Sequence, residues 1–242
     1  DFLPDLDAIP EETARRAKFI YINYPNNPTG AVATKAFYEK LVAWAKTYEV
    51  GVVSDLAYGA LGYQGYENPS FLSTPGAKDV GIEFYTFSKT FNMAGWRLAF
   101  AAGNARMIEA LNLIQDHLFV GIFPALQEAG IAALLDTKSE EAVAQLNATY
   151  DRRRDAFVQA AAKIGWQAFP SRGSFYAWMP VPEGYTSESF ADLLLEKVHV
   201  AVAPGKGFGP AGDAYVRIGL LVEPERLVEG VNRIANLHLF NN

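Results

Sequence analysis

The 242-residue chain has no cysteine, which excludes disulfides, thiolate metal sites and a cysteine nucleophile. It has only three histidines, His117, His199 and His238, far apart and without metal-ligand spacing, so no metal centre is expected. Basic residues are in the minority, 21 against 27 acidic, for a net charge of -6. That balance argues against a nucleic-acid partner, which would need clustered Lys and Arg. No apolar run approaches the roughly 18 residues that cross a bilayer, and no signal peptide, internal repeat or low-complexity tract is visible. What is abundant is apolar material: half the residues are hydrophobic and 13% are aromatic, enough to bury a sizeable core in one large or two small domains. The composition points to a soluble cytoplasmic α/β protein.

Four short runs rich in β-branched and aromatic residues predict strands: "FIYIN" (19–23), "GVVSD" (51–55), "EFYTFS" (83–88) and "RLAFAAG" (97–103). Between the first two, "TKAFYEKLVAWAKTYE" (34–49) repeats Phe37, Leu41, Trp44 and Ala45 at helical spacing behind a candidate N-cap, Thr34. Strand, helix, strand predicts a parallel crossover unit. Helical pattern dominates from Asn104 to about Gly165, with breaks near Phe123-Pro124 and at "DTKSEE" (136–141). Then come strand 174–180, helix 187–197, strands 198–204 and 214–221, and helix 223–237. The expected organisation is a large α/β domain over 1–140, and a small α+β domain over 141–242 that includes the long connecting helix. "GFGPAG" (207–212) matches a dinucleotide-binding glycine loop letter for letter. Such a loop must open a helix; here Pro210 interrupts it and a strand follows, so a turn is expected.

Ligands of parallel sheets collect beyond the C-terminal strand ends, and here those ends are polar. The first strand runs into "NYPNNPTG" with Asn27, the second ends at Asp55 with Tyr58 after it, and the third ends at Thr86, Ser88 and Lys89, with Arg97 close behind. Singly, each has an ordinary explanation: Asn-Pro and Pro-Thr-Gly turn the chain, Asp55 caps a helix, Lys89 snorkels to water. Jointly they are what pyridoxal 5'-phosphate requires: a lysine for its aldehyde, an acid for its ring nitrogen, hydroxyls and an arginine for its phosphate, and donors to its ring oxygen. Arg217 lies inside the apolar strand "AYVRIGLL" (214–221), on the opposite face from Val216 and Ile218. There it needs a carboxylate, from a ligand or from an internal Asp or Glu.

The stretches "NYPNNPTGAV", "VVSDLAYGAL", "YTFSKTFNMAGWRLAF" and "AYVRIGLL" resemble, in order and over essentially the whole chain, the class I/II aminotransferases of fold type I. The branch most similar in look is that of LL-diaminopimelate and methionine aminotransferases. The resemblance implies a PLP-dependent α/β fold: part of a mostly parallel-sheet large domain plus a small α+β domain. It implies transfer of an amino group between an L-amino acid and a 2-oxo acid through a Schiff base on Lys89. Asp55 matches the partner of the pyridinium nitrogen, Tyr58 and Asn27 the donors to the ring oxygen, and Thr86, Ser88 and Arg97 the phosphate-binding set. Arg217 matches the clamp on the substrate α-carboxylate; Thr86 stands where many relatives have serine. A carbon–sulfur β-lyase of the same fold, or an aminotransferase-like effector domain of a transcription regulator, would use much of the same set.

The family's N-terminal portion has no counterpart in residues 1–18, which predict a loop and a helix leading into the first strand. The chain is therefore expected to be the C-terminal part of a longer homodimeric enzyme with a shared active site, and to be inactive alone. Phe175 and Tyr176 in "GSFYAW" (173–178) suit an apolar or sulfur-containing substrate side chain, or core packing. Above all, Asp55, Lys89 and Arg97 are expected at a common cleft.

Overall fold

The computed structural model describes residues 1–118 and 120–240 and forms two compact units. Asp1–Pro25, Val32–Gly62 and Glu67–Leu146 make the first; Asn26–Ala31, Tyr63–Tyr66 and the chain from Asn147 onward make the second.

The first unit is built on a four-stranded sheet of order β1-β2-β3-β4, comprising β1 (Phe19–Asn23), β2 (Gly51–Asp55), β3 (Gly81–Thr86) and β4 (Ala99–Gly103). The first three strands are parallel, in a register that sets Asn23 beside Asp55 and Asp55 beside Phe84. β4 runs antiparallel to β3, because only the short helix α4 (Phe87–Thr90) and a 3₁₀ turn at Ala94–Trp96 connect them. That connection reverses the chain instead of carrying it across the sheet. β3 thus begins and ends two residues before the expected 83–88, and Lys89 sits on a helical turn rather than at a strand end. Thr86 causes the change: its hydroxyl accepts from the Ser88 amide and caps α4.

α1 (Glu11–Arg16) precedes β1, and α2 (Lys35–Tyr48) links β1 to β2. In α2 the predicted cap holds, with Thr34 Oγ1 accepting from the Phe37 amide at 3.1 Å. Phe37, Tyr38, Leu41, Val42 and Ala45 form its buried face, and Trp44 stands at the rim with its ring tilted against Tyr48. α3 (Ala77–Val80) leads into β3, whose Glu83 is buried without a cation among the described residues. Its carboxylate accepts from Ser54 Oγ, Ser70 Oγ and the Phe71 amide, so hydrogen bonds replace the lost hydration. α5 (Ala105–Leu118), α6 (Pro124–Leu135) and the start of α7 (Ser139–Lys163) complete this unit.

The second unit pairs the rest of α7 with an antiparallel sheet of order β5-β7-β6: β5 (Tyr176–Pro180), β7 (Tyr215–Gly219) and β6 (Ala203–Pro204). α8 (Ser187–Val198) and α9 (Pro224–Ala235) belong with it. The strand expected over 198–204 shrinks to two residues. His199 takes a left-handed conformation that ends α8, and its N–H donates to the Leu194 carbonyl; Pro204 has no N–H to extend a ladder. The core joins Phe157, Trp166, Ala177, Met179, Phe190, Leu194, Val216, Leu227, Val231 and Ile234. Trp166 is its centre: its ring stacks on Phe240 and meets Phe157 and Phe190 edge-on, while its indole N–H donates to the Pro180 carbonyl at 2.7 Å. Burying one such side chain contributes about 1.5–3 kcal/mol.

Candidate active site

Because β1, β2 and β3 are parallel, their C-terminal ends share one edge of the sheet, the edge at which such sheets bind ligands. Asp55 ends β2, half-buried. Its backbone carbonyl accepts from Asn23 Nδ2 at 2.9 Å, and its carboxylate accepts from the Ala57 amide at 3.1 Å. Burial raises its pKa, and the Ala57 N–H opposes that shift in part. The turn after it carries Tyr58, which is buried, and is closed by hydrogen bonds from Leu56 N to Phe84 O and from Leu61 N to Tyr58 O.

Beside Asp55, β3 delivers the turn Thr86–Thr90. Phe87 anchors it in an aromatic cluster with Tyr85, Phe91 and Phe100, and α6 approaches this anchor at Gly130, where a Cβ would lie 2.7 Å from Leu98 and 3.2 Å from Phe87. With Phe87 pinned inward, Ser88 and Lys89 are left half-buried on the outer side of the turn. Thr86 Oγ1 lies 2.9 Å from Ser88 Oγ and 3.3 Å from the Leu98 carbonyl. Thr86 pairs with Ala99 across the antiparallel ladder, and Phe87 N reaches Leu98 O, so Arg97 lies at the entry to β4, at the same end of the sheet as the close of β3. Arg97 is exposed, in a left-handed conformation (φ 53°), and donates through Nη1 to the Ala94 carbonyl. Asp55, Tyr58, Thr86, Ser88, Lys89 and Arg97 therefore follow one another along one edge of the first unit.

The second unit holds Asn27 and Arg217. The turn Asn26–Ala31 is shaped by Asn26, whose Oδ1 accepts from Thr29 N and Oγ1, and by Gly30 at φ 71°. A Cβ on Gly30 would lie 2.3 Å from Ser171 Cβ, so only glycine lets the Arg172 and Gly173 amides reach its carbonyl. Asn27 Oδ1 accepts from Arg217 Nη1 at 2.7 Å. Arg217 projects from the central strand β7, while Val216 on the other face is fully buried. No Asp or Glu pairs with it among the described residues. Phe175 is buried and stacked on Tyr150, which identifies it as packing. Tyr176 instead lies 4.3 Å from the Arg217 guanidinium. Sequence reasoning missed Asn23, which steadies the end of β2 and carries no local signal beyond its place at a strand terminus.

The donor set fits pyridoxal 5'-phosphate. A half-buried carboxylate whose own N–H partners are few suits a ring N–H. Two hydroxyls, an arginine and an amine within twelve residues suit a phosphate and an aldehyde. Among the described residues no helix is long and apolar enough to cross a membrane.

Comparison with known proteins agrees. Residues 1–234 match the family described as "Aminotransferase class I and II". The chain is 57% identical over 239 residues to the L-glutamine--4-(methylsulfanyl)-2-oxobutanoate aminotransferase of Bacillus subtilis, covering 99% of this chain and 60% of that protein. It is 49% identical to the LL-diaminopimelate aminotransferase of Moorella thermoacetica, covering 98% and 60%. Among solved structures it resembles apo-BacF from Bacillus subtilis, with TM-score 0.94 and 45% identity over 100% of this chain and 61% of that one. An aminotransferase from Staphylococcus aureus gives TM-score 0.94 and 39% identity over 99% and 63%. The chain thus spans about 60% of the length of the curated relatives it matches. It belongs to the class I and II aminotransferases, a family of fold type I that depends on pyridoxal 5'-phosphate.

Proposed function

We propose that the protein carrying this chain is an aminotransferase that moves an amino group between an L-amino acid and a 2-oxo acid. The observation that carries this is the placing of Asp55 and the Thr86–Lys89 turn on adjacent parallel strands, at one sheet edge. Lys89 supplies the amine that bonds to the cofactor aldehyde, Asp55 accepts from the ring N–H, and Tyr58 and Asn27 donate to the ring oxygen. Thr86, Ser88 and Arg97 hold the phosphate. When bound, pyridoxal 5'-phosphate supplies the electron sink that acidifies the substrate Cα–H bond. Lys89 Nζ would be the group that takes the proton from the substrate Cα. Arg217 binds the substrate α-carboxylate through N–H groups that Asn27 leaves available.

The names of these two relatives direct the substrate proposal toward 2-oxo acids with a sulfur-containing or amino-acid-like side chain. The family resemblance also supports a homodimer working in the cytoplasm, and a division of the chain into 1–140 and 141–242. Borohydride reduction of the cofactor-loaded protein followed by peptide mapping is expected to place the pyridoxyl label on Lys89, and Lys89→Ala to lose both label and turnover. A label on any other lysine sinks the assignment.

A further inference from the structure

The "GFGPAG" turn has no place in the function proposed so far. Its geometry assigns it one. Gly205–Phe208 and Pro210–Ala214 form two 3₁₀ turns packed against each other. A Cβ on Gly205 would lie 2.2 Å from the Gly212 carbonyl oxygen, and one on Gly212 would lie 2.1 Å from the Gly205 oxygen; the two backbones touch as only glycines can. Gly209 between them has φ 131°. The pair is tied to the first turn of α8. Ser187 Oγ donates to Asp213 Oδ1 at 2.8 Å and accepts from the Lys206 amide, and Lys206 Nζ meets Glu188 at 2.6 Å.

What this braced turn presents is Phe208. The ring is 42% exposed, unusual for a side chain on so constrained a loop. Its centroid lies 4.7 Å from the Arg217 guanidinium carbon, while that of Tyr176 lies 4.3 Å away. Both rings are themselves supported: Phe208 meets Trp178 edge-on, Trp178 stacks on Tyr215 at 5.2 Å, and Tyr176 rests against Phe175. Arg217 is held at one corner by Asn27 and flanked by two aromatic rings, and its Nε and Nη2 groups have no acceptor among the described residues. A guanidinium so restrained loses little further freedom when a carboxylate binds its open edge.

We infer that Phe208 and Tyr176 are positioning residues for Arg217, and that the glycine-rich turn exists to hold Phe208 against that guanidinium. The inference rests on the assignment of Arg217 to the substrate carboxylate. It extends that assignment to two residues that would act through the Arg217 guanidinium.

The test uses the full-length, cofactor-loaded protein with L-glutamine and 4-(methylsulfanyl)-2-oxobutanoate, the pair named for the Bacillus relative. Phe208→Leu is expected to raise KM for both substrates by roughly five- to twenty-fold, the range a partly desolvated cation–ring contact implies. kcat should hold within about two-fold, and Phe208→Tyr should restore KM. In parallel, the Arg217 Nε–H proton should lie upfield from the ring currents and move downfield in Phe208→Leu. Arg217→Lys separates the two levels: if it leaves KM unchanged, the carboxylate assignment fails. If it raises KM while Phe208→Leu does not, the assignment stands and the positioning role is overturned. Should Phe208→Leu fold poorly, Tyr176→Leu asks the same of the second ring, and an unchanged KM there is equally fatal.

Discussion

Helices α5 and α9 carry apolar stripes of the same kind and end in different circumstances. In α9, Leu227, Val231 and Ile234 are buried in the core of the second unit. In α5 no residue is buried among those described, and Leu113, Ile114 and Leu118 face outward. The neighbouring α6 repeats the pattern with Ile131, Leu134 and Leu135, and β1 with Phe19 and Tyr21. A helix apolar on most sides is ordinarily a buried one, and contiguous exposed apolar surface marks an interaction face. The contrast separates two properties that a hydrophobic pattern mixes together: an apolar stripe states what a helix would bury, and tertiary context decides whether it does.

One substitution made twice tests the contrast with the largest effect. Ile234→Ala on α9, at a position 2% exposed, should cost about 2–5 kcal/mol of unfolding free energy. Ile114→Ala on α5, at a position 51% exposed, should stay within about 0.5 kcal/mol. Urea unfolding of the 242-residue chain reads both. Equal costs would show that α5 packs in solution as α9 does, and would break the comparison.

The same distinction explains what was legible beforehand. Local signals read well: Thr34 with Phe37, Leu41 and Ala45 defined α2, and the strands at 19–23 and 51–55 ended where their polar residues begin. Two local signals misled. "VHVAV" alternates like a strand, yet α8 ends at His199 by a left-handed turn. "FSK" looked like the end of β3, yet the Thr86 hydroxyl turned it into helix. What no local rule reaches is pairing at a distance. Asn27 and Arg217 are 190 positions apart, and the junction of Tyr63–Tyr66 with the second unit rests on a hydrogen bond from Tyr63 N to Arg172 O. Of the rings beside Arg217, only Tyr176 was singled out beforehand, and for a substrate side chain or core packing. Phe208 sat in a motif whose resemblance to a nucleotide loop drew attention to the wrong feature.

A smaller effect compares the two capped helices. Thr34 closes one side-chain bond at the start of α2, whereas Thr186 shares a reciprocal capping box with Ser189 at the start of α8. Thr34→Ala should cost about 1 kcal/mol, and Thr186→Ala somewhat more, because Ser189 loses its partner as well. Reversal of that order in the urea midpoints would mean that the box in α8 is not formed in solution.

The smallest effect at neutral pH, and the most discriminating with pH, concerns one buried tyrosine in each unit. Tyr24 donates its hydroxyl to the Phe2 carbonyl at 2.7 Å. The Tyr63 hydroxyl is buried with no hydrogen-bond partner among the described residues, its ring facing Arg154 at 4.5 Å. Tyr24→Phe should therefore cost about 1 kcal/mol, while Tyr63→Phe should be near neutral or slightly stabilising, since it removes a phenol oxygen that had lost water and gained nothing. In alkali the two converge. Burial pushes Tyr24 from 10.0 up to about 12, and burial likewise raises Tyr63. Each folded phenol keeps a proton that the unfolded chain has released, so its contribution is complete below about pH 10 and drains away as pH climbs toward the folded value. Each Phe variant should lose its share of that alkaline slope. A slope unchanged in Tyr24→Phe between about pH 10 and pH 12 would show that Tyr24 is not shielded from solvent in the folded chain.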